Sequence, residues 1–389
     1  MSFLRAARAA LSRQSCVLRI LASVSVVVVS AGFLLSCASS YKGTGEGHNA
    51  YVALQGTGNI QLLHIDGGSG TITLGAATPQ VLDTSPNGLA LLSNKFLYAV
   101  NSFANSISIF SIASDGTLAL NATPTLTGGS GPYAAVIDPS GKYLLVTNSL
   151  TDNVSVFSID AGTGALTLTG PPVFANASPT EILMMPSGNV VYVSNPGIGA
   201  VSTFSFSNGV LTQIVDSPVF SGAGATGLAV NAGGKFLYVA NTSARNPPPY
   251  TVTTGNISGF SIDPTTGGLT PLLSSPFAAV GGSGPTQLAI DPSGQFLYSS
   301  TPGTADSIWC FTINSTTGQL TAVPNSPFSL AAGSTFASFD PTGGHFYLGN
   351  SANSVIEGYA YNPSTGALTA ITGSPFALAT SPGKMVFSQ

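Results

Sequence analysis

The sequence predicts an all-β protein: a seven-bladed β-propeller of four-stranded antiparallel blades, closed by a C-terminal strand that completes the first blade. Three observations lead to this prediction. One unit recurs about seven times along the 389 residues, each copy reads as four short strands joined by tight turns, and a strand-like segment at the C-terminal end has no later strands to pair with. Periods of about 40–50 residues with four strands each are typical of propellers, whereas solenoid repeats are usually shorter and need polar caps.

The clearest copy of the repeat shows why each element is expected. Residues 133–138 are a short apolar run suited to a buried inner strand, and DPSG at 138–141 places Asp, Pro and Gly where a type I turn needs them. A second strand follows at 142–148 (KYLLVTN), a third at 153–160 (NVSVFSID), and an outer strand begins at 165. Four antiparallel strands with tight turns make a meander, which is one propeller blade.

The end of the second strand marks each copy along the chain. It falls at Leu54, Asn101, Asn148, Asn195, Asn241, Thr301 and Asn350, at spacings of 47, 47, 47, 46, 60 and 49 residues. The long interval carries an insertion between Thr242 and Gly255, which contains Arg245 and three consecutive prolines. Three prolines favour an extended, stiff loop, and a loop between second and third strands overhangs the mouth of the central channel.

The two ends of the repeat array predict how the ring closes. The first copy starts directly at its second strand, near Ala50, and so lacks an inner strand. Residues 381–389 match the start of a repeat. We therefore expect this segment to supply the missing inner strand, which removes two open sheet edges.

Residues 1–37 are expected to be a lipoprotein-type signal peptide, residues 38–49 a flexible tether, and residues 50–389 the propeller. Four arginines precede a 16-residue apolar run that is short for a membrane span, and the run ends in Leu34-Leu35-Ser36-Cys37. This ending resembles a bacterial lipobox, in which the cysteine, here Cys37, is lipidated and becomes the mature N-terminus. The resemblance implies an exported protein anchored in the cell envelope, and Ala38 after the cysteine favours the outer membrane. An uncleaved anchor helix and an ordinary signal peptide are the alternatives.

Composition limits the classes of partner. Without the leader the chain keeps 6 basic and 14 acidic residues, a net charge of −8, and charged residues make up only 6% of the sequence. Nucleic-acid binding needs a basic patch, so we expect none. Cys310 is the cysteine that remains beyond Cys37, so no internal disulfide is expected. We expect a monomer whose membrane contact is the N-terminal lipid.

The repeat period, the DP[ST]G turns, the FLYVxN strands and the SPF-like connectors together resemble the seven-bladed lactonase-like propellers. This is the family of propeller 6-phosphogluconolactonases and muconate-cyclising enzymes, and the resemblance covers about residues 50–389. It implies a lactone hydrolase without a cofactor. In the connectors we expect the Phe, as in Ser275-Pro276-Phe277, to be a wedge packed between neighbouring blades.

The resemblance also implies where a site would lie, because active members carry His, Arg and acidic groups near the starts of the inner strands. Two residues after the Pro that opens each inner strand, this chain has Gly88, Ala134, Glu181, Gly227, Gln287, Phe336 and Lys384. None is His, and the three histidines, His48, His64 and His345, are expected away from the mouth. No His, Cys or carboxylate spacing suggests a metal site. Most aspartates open or close turns.

Two functions remain open at this point. In a lactone hydrolase, Glu181 would be the general base for a water, Lys384 or Arg245 would stabilise the oxyanion, and Gln287, Arg245 and Phe336 would bind substrate. A phosphorylated substrate fits poorly, because a phosphate favours several cations. The alternative is a non-catalytic surface propeller that binds a glycan or an envelope protein. Residues alone favour the binding propeller, and family resemblance favours the hydrolase. Whether Glu181 and Lys384 face each other across the channel discriminates between them.

Overall fold

A computed structural model describes residues 47–78, 86–121, 124–245, 252–278, 284–301, 307–324, 326–329 and 333–388. The predicted leader, Cys37 and most of the tether lie outside these ranges, as do the three prolines of the insertion and the side chain of Arg245. Among the described residues, no helix is long and apolar enough to cross a membrane.

The described strands form seven antiparallel sheets, numbered here as blades 1–7 in chain order. Blade 1 contains β1 (His48–Leu54), β2 (Asn59–Ile65), β3 (Ile72–Ala77) and β34 (Pro382–Phe387). Blade 2 contains β4 (Pro86–Leu92), β5 (Phe96–Asn101), β6 (Ser106–Ile112), β7 (Leu118–Leu120) and β8 (Thr125–Leu126). Blade 3 contains β9 (Pro132–Ile137), β10 (Tyr143–Asn148), β11 (Asn153–Ile159), β12 (Leu166–Leu168) and β13 (Val173–Phe174). The prediction of an all-β, seven-bladed propeller is confirmed.

The remaining blades repeat the same order. Blade 4 contains β14 (Ile182–Met184), β15 (Val190–Asn195), β16 (Ala200–Ser207), β17 (Val210–Gln213) and β18 (Val219–Phe220), and blade 5 contains β19 (Ala225–Val230), β20 (Phe236–Arg245), β21 (Val252–Ile262), β22 (Leu269–Pro271) and β23 (Phe277–Ala278). Blade 6 contains β24 (Gln287–Ile290), β25 (Phe296–Thr301), β26 (Ser307–Ile313), β27 (Leu320–Ala322) and β28 (Phe328–Ser329), and blade 7 contains β29 (Ser334–Phe339), β30 (His345–Asn350), β31 (Val355–Tyr361), β32 (Leu368–Ala370) and β33 (Phe376–Ala377).

The ring closes as the sequence predicts. β34 is the inner strand of blade 1 and pairs antiparallel with β1, with Val52 opposite Met385 and Leu54 opposite Pro382. This pairing puts the start of β34 beside the end of β1, at the same face as the starts of the other inner strands. We call this face the mouth.

The described part of the insertion in blade 5 is a paired hairpin rather than an extended loop, whereas its three prolines lie outside the described residues. β20 and β21 continue past Asn241 as a paired hairpin as far as Arg245 opposite Val252. The ladder satisfies backbone N–H and C=O groups that an extended loop would leave to water, so the hairpin is the better solution for these residues.

Buried tyrosines tie each blade to the next. In six blades the second strand carries a Tyr that is 0% exposed, and its hydroxyl donates to a glycine carbonyl in the turn between third and fourth strands of the following blade. The bonds run from Tyr51 to Gly116, Tyr98 to Gly164, Tyr192 to Gly267, Tyr238 to Gly318, Tyr298 to Gly366 and Tyr347 to Gly70, over 2.6–3.0 Å. Blade 3 has Leu145 at this position, and Thr169 donates to the Gly209 carbonyl of blade 4 instead.

The connectors correct part of the wedge prediction. Each of blades 2–7 has a two-residue fifth strand that pairs with the start of the third strand. In blade 5 the side chain of Phe277 is 8% exposed and packs in the core, whereas Phe174 and Phe220 in blades 3 and 4 are 61% and 65% exposed. There the motif is one residue longer, so Val173 and Val219 take the inward position and the Phe points outward. The wedge prediction is therefore wrong for blades 3 and 4.

The repeated Asn and Asp residues have structural partners. Asn148 is 0% exposed and its Nδ2 donates to Ser155 Oγ at 2.8 Å, which closes the loop between second and third strands rather than lining the mouth. Asp138 accepts the backbone N–H groups of Lys142 and Tyr143 in its DPSG turn. In the turn between the third and fourth strands of the same blade, hydrogen bonds from Thr163 hold the pKa of Asp160 below its usual value. These residues are therefore explained by the fold.

Candidate functional site in the mouth of the channel

A cavity of about 290 Å³ opens at the mouth, between the starts of the inner strands. Its walls include Tyr133 of blade 3, Glu181 of blade 4, Gln287 of blade 6 and Lys384 of blade 1. Among its described lining residues, Glu181 and Lys384 are the charged ones. The inner strands therefore place two chemically reactive side chains in one open cavity.

Glu181 and Lys384 meet across the channel. Glu181 directly precedes β14 in blade 4, Lys384 lies on β34 in blade 1, and Lys384 Nζ is 2.8 Å from Glu181 Oε1. Their side chains are 23% and 34% exposed, respectively. Burial opposes the charge of the Lys384 ammonium, but the Glu181 carboxylate outweighs it and raises the pKa of Lys384. A cation is thus held in the cavity at neutral pH, next to a carboxylate.

Tyr133 is a residue of the cavity that the sequence pattern missed. It is 42% exposed, and its pKa is raised first by burial and second by the negative charge of Glu181. The pattern counted two residues past each Pro, and Tyr133 comes one residue past. Both positions reach the cavity because the pairing of inner and second strands shifts register at this point in five blades, and such a bulge re-aims the side chains.

The three predicted substrate-binding residues, Gln287, Phe336 and Arg245, differ in where the structure places them. Gln287 lines the cavity. Phe336 does not: its side chain is 2% exposed and lies in the core between blades 7 and 1. Gly349 on β30 leaves the room, since a Cβ there would lie 2.3 Å from the Phe336 ring. Phe336 is therefore a core residue and not a site residue, and Ser334 and Thr335 line the cavity in its place. The side chain of Arg245 lies outside the described residues.

The three histidines lie away from the mouth. His345 Nδ1 is 3.0 Å from Asp340 Oδ2, His64 Nδ1 is 2.8 Å from Asn49 Oδ1, and His48 begins β1 at the opposite face. In the described part of the chain, no group of three His, Cys, Asp or Glu residues could hold a metal ion. Among the described residues that line the mouth cavity, the available chemistry is that of one carboxylate, one ammonium, one phenol and neutral polar groups.

A larger cavity, of about 660 Å³, lies between blades 4 and 5, away from the mouth. Its described walls carry two carboxylates, Asp216 and Asp263, and no cation. Asp263 accepts the backbone N–H groups of Thr265 and Thr266, so it is held by its turn. The smaller cavity at the mouth is therefore the better candidate site.

The geometry and the repeat agree with a comparison against family models. The model of the lactonase family with a seven-bladed β-propeller matches residues 83–177, 169–279 and 254–381. This chain belongs to the seven-bladed β-propeller lactonase family. The matched residues include Glu181 and most of the inner strands. β34, which carries Lys384, lies beyond the last matched residue.

Solved structures of similar proteins share the fold at low identity. A candidate 6-phosphogluconolactonase from Bacteroides fragilis is 20% identical with a TM-score of 0.74, over 90% of this chain and 99% of that chain. The periplasmic gluconolactonase of Pseudomonas aeruginosa is 20% identical with a TM-score of 0.70, over 88% and 99%. No match was found among curated proteins.

Proposed function

We propose that this lactonase-family propeller hydrolyses an unphosphorylated sugar lactone in the cell envelope, with Glu181 as general base and Lys384 as the electrostatic partner. The observation that carries the proposal is the contact of 2.8 Å between these two side chains across the channel. No rule of the repeat requires either residue, since three of the equivalent positions hold Gly88, Ala134 and Gly227.

The chemistry follows from the two groups. A lactone entering the cavity parts the ion pair. Glu181 takes a proton from a water, whose oxygen attacks the lactone carbonyl carbon, and the Lys384 ammonium stabilises the negative charge that develops on the carbonyl oxygen. The tetrahedral species then collapses: the bond between the carbonyl carbon and the ring oxygen breaks, and the ring oxygen takes the proton from Glu181. The product is an aldonic acid, which releases one proton to solution at neutral pH.

Charge supports an unphosphorylated substrate. A phosphate dianion is usually held by several cationic or N–H donors. Lys384 is the one cation among the described lining residues, and it is already paired with Glu181. A gluconolactonase of the same fold from Pseudomonas aeruginosa is named periplasmic, which agrees with the export signal expected around Cys37. We propose the same compartment here, with a lipid on Cys37 and a monomeric propeller.

A pH-stat assay tests the activity. The purified protein should release protons from glucono-1,5-lactone faster than the spontaneous rate, and faster than from the 6-phosphorylated lactone. Glu181→Gln should lower kcat/KM by at least ~100-fold, the usual scale for loss of a general base. Asp216→Asn is the matched control, because Asp216 is exposed and lies away from the mouth, at a positive φ that Asn tolerates.

Each outcome has a meaning. Activity that survives Glu181→Gln would keep the enzyme and reject this site. A protein that accelerates none of a panel of aldonolactones would instead be the non-catalytic propeller that binds a glycan or an envelope protein.

A further inference from the structure

Around one half of the mouth, hydrogen bonds from side-chain hydroxyl groups link each blade to the inner strand of the next blade. In each of blades 2–5 a Ser or Thr side chain donates to a backbone carbonyl at the start of the next inner strand. The bonds run from Ser102 to Pro132, Thr147 to Thr180, Ser194 to Thr226 and Thr226 to Thr286, over 2.6–3.2 Å. These hydroxyls are used by the fold and are not available to a ligand.

The pattern stops at blade 6. Ser300 holds the position in its blade that Ser194 and Thr147 hold in theirs, directly before the end of the second strand, yet its hydroxyl has no hydrogen-bond partner. The hydroxyls of Thr286, Ser334 and Thr335 are also buried and without a partner. These last three residues line the cavity of about 290 Å³.

The unpaired hydroxyls on this wall of the cavity carry an energetic cost. A buried donor or acceptor without a partner loses its bonds to water and gains nothing in return, so native structures keep few of them. Rotation about χ1 is the simple movement that turns a Ser or Thr hydroxyl from the wall into the cavity. Gln287 lies between these residues and offers both donors and an acceptor.

We infer that Thr286, Gln287, Ser334 and Thr335, here called the hydroxyl wall, form a subsite for a neutral polyhydroxylated ligand. The wall carries no charge, so it suits the ring hydroxyls of a sugar rather than a phosphate or a carboxylate. A ligand hydroxyl both donates and accepts, so it pairs with a wall hydroxyl in either orientation. A ring without hydroxyls leaves the wall unpaired, and a site built to hydrogen-bond a substrate hydroxyl rejects an analogue that lacks it. The inference rests on the proposed function only for the claim that the bound ligand carries a reacting carbonyl. Binding of the polyhydroxylated ring does not depend on hydrolysis.

Calorimetric binding of two lactams tests the hydroxyl wall without hydrolysis. D-glucono-1,5-lactam keeps the ring hydroxyls, and δ-valerolactam has the same ring without them. Thr286→Val and Thr335→Val keep the shape and remove one hydroxyl each, so each should weaken gluconolactam binding about threefold to tenfold, the usual range for one neutral hydrogen bond. Valerolactam should bind far more weakly to the unaltered protein, and the substitutions should not weaken it further.

Thr203→Val is the matched control. Thr203 is 1% exposed and its hydroxyl is also unpaired, but it lies on β16, away from the mouth cavity. Its removal should leave lactam binding unchanged, and thermal melting should show all three variants folded. Unchanged gluconolactam affinity in both wall variants, or equal affinity for the two lactams, would overturn the inference. Lactone hydrolysis with unaltered binding in the variants rejects the wall alone, whereas wall-dependent lactam binding without hydrolysis rejects the proposed reaction alone.

Discussion

Replacing Tyr347 by Phe removes one hydroxyl from the seam where blade 7 meets blade 1. Tyr347 is 0% exposed, and its hydroxyl donates to the Gly70 carbonyl at 2.7 Å. Among the tyrosine bonds between blades, this one joins two blades that are far apart in sequence, since it links residues 277 positions apart. The variant therefore tests how firmly the ring is closed.

The expected loss is about 1–3 kcal/mol of unfolding free energy. The variant loses one hydrogen bond and leaves a buried carbonyl without its partner, which costs more than the bond alone. For a propeller of roughly 340 residues, an unfolding entropy of about 2.1 cal/mol/K per residue gives ~0.7 kcal/mol/K. A loss of ~2 kcal/mol then lowers Tm by about 3 °C.

Tyr192→Phe is the matched comparison, because Tyr192 makes the same bond to Gly267 at 2.8 Å between blades 4 and 5. Urea unfolding and calorimetry of the two variants should give equal losses within ~0.5 kcal/mol. If Tyr347→Phe costs under ~0.5 kcal/mol while Tyr192→Phe costs the full amount, the closing seam does not depend on this bond. If neither variant is destabilised, the idea that these bonds hold the ring together is refuted.

Three further predictions concern the connectors, the ion pair and the anchor. Phe277→Ala should cost about 3–5 kcal/mol in urea unfolding, as for a buried Phe, whereas Phe174→Ala should change stability by less than ~0.5 kcal/mol. Because the pKa of Lys384 is raised, its contribution to stability is complete below pH 10.5 and is lost as pH rises through the pKa of the folded state. The difference between the unfolding free energies at pH 9 and at pH 11.5 should therefore be smaller in Lys384→Met than in the unaltered protein. Cys37→Ala should move the exported protein from the detergent phase to the aqueous phase; a wild-type mature N-terminus without lipid would contradict the lipobox.

Much of the fold could be predicted because the same turn and strand-end residues recur at fixed positions in each repeat. The Asn at the end of each second strand and the Asp of each DP[ST]G turn recur at fixed distances, and both use local hydrogen bonds that sequence makes visible. The tyrosine bonds were not predicted, although the Tyr recurs plainly in the pattern. Each partner carbonyl belongs to the next blade, and a contact between blades depends on the ring geometry rather than on spacing within one repeat.

The candidate site could be predicted only where one side chain breaks the repeat. Glu181 and Lys384 stand out because most equivalent positions hold residues that carry no charge, and the structure brings the two together. Tyr133 was missed because a bulge lets two adjacent residues face the channel. Phe336 was wrongly placed because the space that takes its ring is created by a glycine on another strand, Gly349, which no inspection of the inner strand reveals.

The position of Lys384 on β34 couples the timing of assembly to the appearance of the site. Synthesis proceeds from the N-terminus, so β34 is made after every other described strand, and blade 1 waits for it with β1 unpaired on its inner side. Glu181 belongs to blade 4, whereas its cationic partner lies on the strand that is synthesised last and closes the ring. A chain stopped before β34, or clipped ahead of it, would lack both the closed ring and the completed site. Under the proposed chemistry, turnover would therefore report on a finished ring.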